Sequence, residues 1–362
     1  MPEPYLRVEE LQKRFGNVAA VRNVSFDAQS GELLTLLGPS GCGKTTTLRC
    51  IAGLEVPEDG RISIDGLVVT STRDNIYLPP EKRRLGIVFQ SYAVWPHMTV
   101  SQNVAYGLVE RKVRKDEIKK KVEEALRLVG LEALGDRYAT ELSGGQQQRV
   151  GLARAIVYEP AMLLLDEPLS NLDAKLREQM RFYIRDVQKK LGTTTVYVTH
   201  DQSEAMVISD KIIVMDKGEI VQIGSATELY ERPRNEFIAN FIGIANLLEA
   251  RILGRVNDRY FTVEATELGE TLQCQISKEF REGDDVLISA RPERIVIEGA
   301  EKRTNVLEGT VTKKAYLGHT TDYWISIGNK EIRVSSLISL ETGSKVSIEI
   351  PPSSCTLISR SD

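Results

Sequence analysis

The sequence predicts an α/β domain followed by a small all-β domain. The chain has 362 residues, and a single hydrophobic core stops growing near about 250–300 residues, so two domains are expected. Up to about residue 240, apolar runs typical of buried strands alternate with helical patterns, which indicates a parallel sheet. From residue 241 onward, short alternating runs separated by turns indicate a barrel or sandwich. We therefore expect domains at residues 1–240 and 241–362.

Composition narrows the class of protein. Apolar residues make up 41% and charged residues 27% of the chain, as in ordinary soluble proteins. The net charge of −4 argues against a nucleic-acid partner. We see neither a run long enough to span a membrane nor a signal peptide at residues 1–14. The cysteines are far apart and lack metal-binding spacing, which favours a reduced, cytoplasmic protein; they are Cys42, Cys50, Cys274 and Cys355.

The first strands lead to an aromatic residue. Residues 5–11 and 21–26 are predicted strands, and Phe15 lies in the loop between them. An aromatic side chain at this place could stack on an adenine ring. The alternative is that Phe15 caps the sheet.

A glycine-rich loop, G-P-S-G-C-G-K-T at residues 38–45, follows an apolar run at 33–37 and precedes a helical pattern at 45–52. The glycines allow the backbone to curl with its N–H groups inward, and the helix dipole favours an anion at the same place. Lys44 is placed to reach β- and γ-phosphates, and the Thr45 hydroxyl to bind Mg²⁺. The loop predicts a nucleoside triphosphate site; the alternative is a ligand-free strand-to-helix turn.

A glutamine ends the next buried strand. Residues 60–67 are predicted to form a strand and turn, and residues 68–82 a polar connection. Residues 85–90, L-G-I-V-F-Q, form a strand that ends on Gln90. The carboxyl ends of parallel strands border the crevice where α/β proteins bind ligands. Gln90 is therefore a candidate for orienting water or contacting Mg²⁺.

An aromatic loop follows at residues 91–100, S-Y-A-V-W-P-H-M-T-V. Exposed aromatic residues indicate a partner surface. The alternative is that Tyr92, Trp95 and Met98 anchor a buried loop. His97 has no second ligand near it in the sequence and is interpreted as a hydrogen-bonded loop residue.

A second predicted anion site lies at residues 142–146, L-S-G-G-Q. The helix before it, at 115–130, has one apolar face and a lysine-rich face that we interpret as solvated. The Ser-Gly-Gly turn opens another helix, so its N–H groups, the Ser143 hydroxyl and the helix dipole favour an anion. Two anion sites with one phosphate-binding lysine need an explanation.

Two carboxylates close the strand predicted at residues 162–167, M-L-L-L-D-E. A run this apolar is typical of a central parallel strand. Asp166 is suited to the Mg²⁺ side of a nucleotide site, and Glu167 to the general base for water. The alternative is a strand that ends in surface acids.

The next strand ends on a histidine. A turn at residues 168–173 and a helix at 174–191 precede a β-branched strand at 194–199, after which comes His200. We expect His200 to lie in the same crevice as Gln90 and Glu167 and to contact a γ-phosphate. A hairpin is predicted at residues 211–223.

The rest of the chain predicts short strands without a long helix. We see no acid pair, glycine loop or metal cluster in it, and His319 reads as structural or solvated. The predicted strands are residues 248–252, 260–263, 271–276, 285–289, 294–297, 307–313, 322–327, 331–334 and 345–350.

Together these motifs resemble the ATP-binding subunit of ABC transporters, in the importer branch that carries a C-terminal barrel (TOBE-like) extension. The resemblance covers residues 6–241 in unbroken motif order. It implies an α/β P-loop NTPase domain, with a helical subdomain at about 97–158, followed by an OB-like barrel. The weaker C-terminal motifs are F-I-G-I-A-N at 241–246 and A-R-P-E-R at 290–294.

The resemblance implies that two subunits pair head to tail and sandwich ATP between the loop of one and the Ser-Gly-Gly turn of the other. Its implied catalytic residues are Glu167, His200, Gln90 and Lys44. Its implied metal-binding residues are Thr45, Gln90 and Asp166. Its implied nucleotide-binding residues are Phe15, Gly38, Pro39, Ser40, Gly41, Cys42, Gly43, Lys44, Thr45, Thr46, Ser143, Gly144, Gly145, Gln146 and Asp173.

By the same resemblance, the chain is an ATPase that works with Mg²⁺ as a homodimer on the cytoplasmic face of the cell membrane. Two transmembrane permease subunits, one docking near residues 90–100, and an external solute-binding protein are the implied partners. The implied solute is ferric iron, a polyamine or a phosphonate, with a maltose-type sugar as the alternative. Rival classes are a soluble ABC-type ATPase not coupled to transport and a regulatory module that holds nucleotide without hydrolysing it.

Overall fold

The computed structural model describes residues 3–276, 280–297 and 304–359. The chain divides into two compact units, residues Met1–Ala226 and Thr227–Asp362. The domain boundary predicted at 240/241 therefore lies inside the second unit, beyond the residue at which the structure divides.

The first unit contains two sheets. Its strands are β1 Leu6–Phe15, β2 Val18–Ala28, β3 Leu33–Leu37, β4 Asp59–Ile64, β5 Leu67–Ser71, β6 Ile76–Tyr77, β7 Leu85–Val88, β8 Met162–Asp166, β9 Thr194–Thr199, β10 Lys211–Asp216 and β11 Glu219–Gly224. An antiparallel sheet has the order β2-β1-β4-β5-β6, and a six-stranded sheet has the order β11-β10-β3-β9-β8-β7. Five strands of the six-stranded sheet are parallel, and β11 joins β10 as an antiparallel hairpin.

The parallel strands place the site. In β3, β8 and β9 every residue is buried, which explains their continuous apolar or β-branched sequences. The register aligns Val88 with Leu165 and Asp166 with Val198. The residues that follow β7, β8 and β9 therefore meet at one edge of the sheet.

The predicted polar connection at residues 68–82 is wrong in part, because it contains strand β6 and all of β5 except Leu67. Polar residues of β5 are buried because they find partners. Thr70 accepts a hydrogen bond from the buried Arg83 guanidinium at 2.8 Å, and Ser71 donates to Asp74 at 2.7 Å. A polar sequence can therefore occupy a buried strand when each hydroxyl is hydrogen-bonded.

Eight α-helices lie in the described part of the chain: α1 Lys44–Ala52, α2 Val100–Glu110, α3 Lys115–Leu128, α4 Gly144–Ile156, α5 Ala174–Leu191, α6 Gln202–Ile208, α7 Ala226–Glu231 and α8 Glu236–Phe241. The prediction for α5 is confirmed at both ends. Helix α2 was not predicted, although Thr99 and Gln102 form a capping box at its start. Within the described ranges, none of these helices combines the length and apolar character of a membrane span.

The second unit is rich in strands, as predicted. They are β12 Asn246–Arg255, β13 Tyr260–Ala265, β14 Glu270–Gln275, β15 Asp285–Ala290, β16 Val296–Ile297, β17 Val306–Tyr316, β18 Thr321–Ile327, β19 Lys330–Ser336, β20 Lys345–Glu349 and β21 Cys355–Ile358. A closed barrel has the order β12-β13-β14-β21-β15, and a five-stranded sheet has the order β16-β20-β17-β18-β19. The predicted barrel is therefore accompanied by a second sheet, and its closing strand β21 was not predicted.

Candidate functional site

The glycine-rich loop connects the buried strand β3 to helix α1. Gly43 precedes the helix with φ of 101°, a conformation that side chains with a Cβ disfavour. A Cβ atom at Gly43 would lie 2.3 Å from the Ala20 carbonyl oxygen, and one at Gly38 would lie 2.2 Å from the Met215 carbonyl oxygen. The loop is thus held against two neighbouring backbones, while Ser40 and Gly41 remain exposed.

Lys44 begins α1 and is buried. Its ammonium donates hydrogen bonds to the carbonyl oxygens of Gly38 at 2.8 Å and Pro39 at 2.9 Å. It also lies 3.7 Å from the sulfur of Cys42, whose thiol pKa is raised by burial despite that positive charge. The loop therefore surrounds a cation held by neutral acceptors, which suits the binding of an anion.

A hydroxyl and a carboxylate meet beside this loop. Thr45 Oγ1 donates to Asp166 Oδ1 at 2.9 Å, which joins the start of α1 to the end of β8. Burial raises the pKa of Asp166, although the hydrogen bond from Thr45 and the charge of Arg49 lower it. Thr46, in the same helical turn, is half-buried.

Glu167 receives side chains from both neighbouring strands. Gln90 Nε2 lies 3.4 Å from Glu167 Oε2, and His200 Nδ1 lies 3.1 Å from the same oxygen. Two strand-end side chains therefore contact one oxygen of the third, at the edge where the sequence places all three. The His200 side chain is largely exposed, whereas that of Glu167 is mostly buried.

The segment at residues 170–173 is tied to this cluster. Asn171 Nδ2 donates to the Gln90 carbonyl oxygen at 2.8 Å, and Ser170 Oγ donates to the Glu167 carbonyl oxygen at 3.0 Å. Glu167 itself has φ of 44°, in the left-handed region, and its N–H bonds to the Val198 carbonyl at 3.0 Å. The chain turns sharply at the carboxylate and is held there from both sides.

The Ser-Gly-Gly turn opens α4 as predicted. Ser143 caps the helix by accepting from the Gln146 N–H at 3.4 Å, and Gln146 Oε1 accepts from the Ser143 N–H at 3.0 Å. Ser143 and Gly144 are exposed, whereas Gly145 is buried against Leu176. A serine and a helix N-terminus are thus open to solvent.

Phe15 and Asp173 are two further site residues that the sequence predicts. Phe15 is the last residue of β1 rather than part of a loop, and 49% of it is exposed. The ammonium of Lys13 lies 5.0 Å from its ring centroid. Asp173 caps α5 by accepting from the Leu176 N–H at 3.0 Å. The ring of Phe15 is open to a stacking partner.

The aromatic loop has features of both alternatives, a buried anchor and an exposed partner surface. Tyr92 is buried, as an anchor would be. Trp95 is half-buried against Tyr106, with ring centroids 4.4 Å apart, and the Arg154 guanidinium lies 3.9 Å from its ring. These side chains line a groove of about 280 Å³ beside β7.

Two acidic residues near the site were missed. Asp201 caps α6 by accepting from the Glu204 N–H at 3.1 Å, and Glu204 is buried at the start of that helix. The sequence signal was present, since an acid followed three residues later by Glu is a helix-start pattern.

Comparison with known proteins identifies the family to which the chain belongs. The ABC transporter family model matches residues 21–170 and the TOBE domain model matches residues 288–358. A spermidine/putrescine import ATP-binding protein from Clostridium novyi is 41% identical and covers 97% of each chain. An Fe(3+) ions import ATP-binding protein from Rhizobium etli is 46% identical over 96% of this chain and 92% of its own.

A solved structure similar to this chain also comes from an ABC transporter. It is described as cbiO1 from Clostridium perfringens, part of the ABC transporter complex cbiONQ; it is 33% identical, with a TM-score of 0.57, and covers 63% of this chain and 91% of its own. The chain therefore belongs to the ABC transporter family of import ATP-binding proteins. It is an ATP-binding ATPase subunit that powers solute import. The predicted P-loop NTPase domain and C-terminal barrel are confirmed.

Proposed function

We propose that two copies of this chain sandwich ATP between the glycine-rich loop of one and the Ser143 turn of the other. The observation that carries the proposal is the shared contact of Gln90 and His200 with Glu167 beside Thr45 and Asp166. That cluster provides a base and phosphate ligands within one subunit. The exposed helix N-terminus at Ser143 then contacts the ATP that the glycine-rich loop of the other copy binds.

The residues divide the chemistry between them. When ATP binds, the Lys44 ammonium donates to the phosphates instead of to the Gly38 and Pro39 carbonyls. The backbone N–H groups of the loop bind the same phosphates. Glu167 accepts the proton of the attacking water. His200 and Gln90 hold that carboxylate and reach toward the γ-phosphate, and Phe15 stacks on the adenine.

The residues beside the loop are suited to Mg²⁺. Oxygen ligands are what this cation prefers, and Thr45 and Asp166 present a hydroxyl and a carboxylate in contact. Burial, together with the neighbouring charge of Glu167, raises the pKa of Asp166, so a bound cation would favour its ionised form. Thr45, Asp166 and the Gln90 amide oxygen would hold the metal. When bound, Mg²⁺ neutralises charge on the β- and γ-phosphates.

Replacing Asp166 tests the metal site. Asp166→Asn is expected to lower Mg²⁺ affinity in the ATP complex at least about tenfold, because the charged ligand is lost. Thermal unfolding with ATP, with and without Mg²⁺, measures this. Asp210→Asn, at an acid outside the site, should leave the Mg²⁺ effect intact. An equal Mg²⁺ effect in Asp166→Asn and the wild type would contradict the assignment.

The same site predicts a pH dependence. Burial raises the pKa of Asp166, so protonation displaces Mg²⁺ at a higher pH than for an ordinary aspartate near about 3.9. Without metal, low pH has the opposite effect, because it stabilises the fold. The pKa of Asp166 is higher in the folded than in the unfolded chain, so its contribution to the free energy of unfolding rises as pH falls through the folded value. Mg²⁺ titrations at several pH values measure the shift, and Asp166→Asn should abolish it.

A mixing experiment tests the shared site. Lys44→Ala damages the loop and Ser143→Arg damages the turn, so each variant alone should be inactive. In a mixed dimer one site keeps both an intact loop and an intact turn. Equal mixing should restore about a quarter of wild-type turnover, since half of the dimers are mixed and each has one good site. Failure of the mixture to recover turnover would contradict a site built from two chains.

We infer that the partners are two transmembrane permease subunits and an external solute-binding protein, with this chain on the cytoplasmic face of the membrane. The groove beside Trp95 and Tyr106 is the proposed docking place for a permease helix. The import function of the relatives supports this arrangement. Co-purification with membrane subunits tests it, and a Trp95→Ala variant should weaken that association.

We propose ferric iron or a polyamine as the solute. The relatives that support the proposal are named for spermidine/putrescine and for Fe(3+). Ligand binding by the proposed external solute-binding protein is the test, with spermidine, putrescine and ferric iron as probes. Selective binding of a phosphonate or an oligosaccharide would overturn the proposal.

A further inference from the structure

Arg177, in the first turns of α5, contacts two segments of the site. Its Nη2 donates to the Leu172 carbonyl oxygen at 3.0 Å, and its Nη1 lies 3.5 Å from Asp201 Oδ2. Its Nε lies 4.0 Å from Glu204 Oε1. One guanidinium thus joins the loop before α5 to the start of α6, directly after His200.

The start of α6 is a rigid acceptor for this contact. Glu204 Oε2 accepts from Tyr197 Oη at 2.9 Å and from Thr199 Oγ1 at 2.7 Å, and both donors belong to β9. Thr199 Oγ1 also accepts from the Asp201 N–H at 3.0 Å. Residues on both sides of His200 are therefore fixed to the sheet and to one another.

The other end of the contact belongs to the catalytic cluster. Leu172 follows Ser170 and Asn171, which bond the carbonyls of Glu167 and Gln90. A movement of this loop would therefore displace Glu167 through the backbone. It would also displace the start of α6 through Arg177.

Arg177 also keeps unused bonding capacity. Its Nε is buried without a hydrogen-bond partner among the described residues, and its separation from Glu204 Oε1 is too long for a hydrogen bond. A small approach of α5 to α6 would complete that bond. A buried N–H left unpaired costs free energy, so completing this bond would be favourable.

We propose that Arg177 is a positioning residue that sets His200 relative to Glu167 in response to the loop at residues 170–173. The inference rests on the role proposed for His200 in turnover. It assigns the coupling between loop and histidine to one side chain that touches neither substrate nor metal. The distance from His200 to Glu167 then depends on where this loop is held.

The test is a double-mutant cycle on the full-length chain. Arg177→Gln, Asp201→Asn and their combination are compared for kcat, KM for ATP and Tm. Asn at position 201 keeps the oxygen that caps α6 and removes the charge. The matched control is the pair of Arg185, on the same helix as Arg177, with Asp210, where Arg185 Nη1 lies 3.0 Å from Asp210 Oδ2. Its variants are Arg185→Gln, Asp210→Asn and their combination.

Each single change at Arg177 or Asp201 is expected to lower kcat at least about tenfold with KM changed by less than about twofold, because a displaced catalytic group costs rate. The double variant should be no slower than the slower single variant, since both remove one contact. The control pair should lower Tm while kcat stays within about twofold. Full additivity in kcat, or equal kcat losses in the control pair, would overturn the inference.

Two further variants separate the possible failures. If Arg177→Gln does not fold, Arg177→Lys replaces it, because lysine keeps the charge but cannot reach Leu172 and Asp201 together; wild-type kcat in that variant would overturn the inference. If His200→Ala keeps wild-type turnover, the proposed role of His200 fails as well. Loss of turnover in His200→Ala with wild-type kcat in Arg177→Gln would reject the inference alone.

Discussion

Glu167→Gln is expected to retain ATP and to form dimers with it while losing turnover by about 10²–10⁴-fold, the range for a general base. The amide keeps the shape of the side chain and its contacts with Gln90 and His200, but it cannot accept a proton. Binding energy that hydrolysis would release is then kept in the closed dimer. Phosphate release and size-exclusion chromatography with ATP measure the two effects.

The control for this variant is Glu159→Gln. Glu159 is an exposed carboxylate that pairs with Lys121 at 2.7 Å, so its amide variant should hydrolyse ATP at the wild-type rate. Wild-type turnover in Glu167→Gln would show that another group takes the proton. ATP-independent dimers in both the wild type and Glu167→Gln would show that nucleotide does not close the interface.

Lys44→Ala is expected to lower ATP affinity about 10- to 100-fold, as the loss of charge-assisted hydrogen bonds to phosphate implies. In the structure this ammonium donates hydrogen bonds to the Gly38 and Pro39 carbonyls. The variant leaves both carbonyls facing the place where the phosphates bind. Fluorescent-nucleotide titration measures the affinity.

Lys211→Ala provides the comparison. Lys211 lies in the same unit and pairs with Asp27 at 3.1 Å and Glu32 at 3.5 Å. Its loss should leave ATP affinity unchanged, because both ion pairs lie outside the phosphate site. Equal ATP affinities in Lys44→Ala and the wild type would remove Lys44 from the phosphate site.

The site could be predicted from strand ends because of one geometric rule. Gln90, Glu167 and His200 each follow an apolar or β-branched run, and neighbouring parallel strands end at the same edge of a sheet. The six-stranded sheet places β7, β8 and β9 side by side. The sequence alone therefore indicated the meeting of three residues that are far apart in the chain.

What could not be predicted depended on long-range partners. Strand β5 is buried although its sequence contains Thr70 and Ser71, since Arg83 and Asp74 bond their hydroxyls. Arg177 carries no motif of its own, and its contacts with Leu172 and Asp201 arise only when α5 packs beside α6. Local patterns do not encode such pairings, which set the burial of these polar groups.

Strand β21 also has a consequence for how the second unit forms. It lies between β14 and β15 in the barrel, parallel to the first and antiparallel to the second. In chain order, however, β16 to β20 come between β15 and β21. During synthesis on the ribosome the barrel therefore cannot close until β16 to β20 have emerged and β21 can pair with β14 and β15. Closure is then a non-local pairing step, which is slow in folding, and the exposed edges of β14 and β15 need protection from other chains in the meantime.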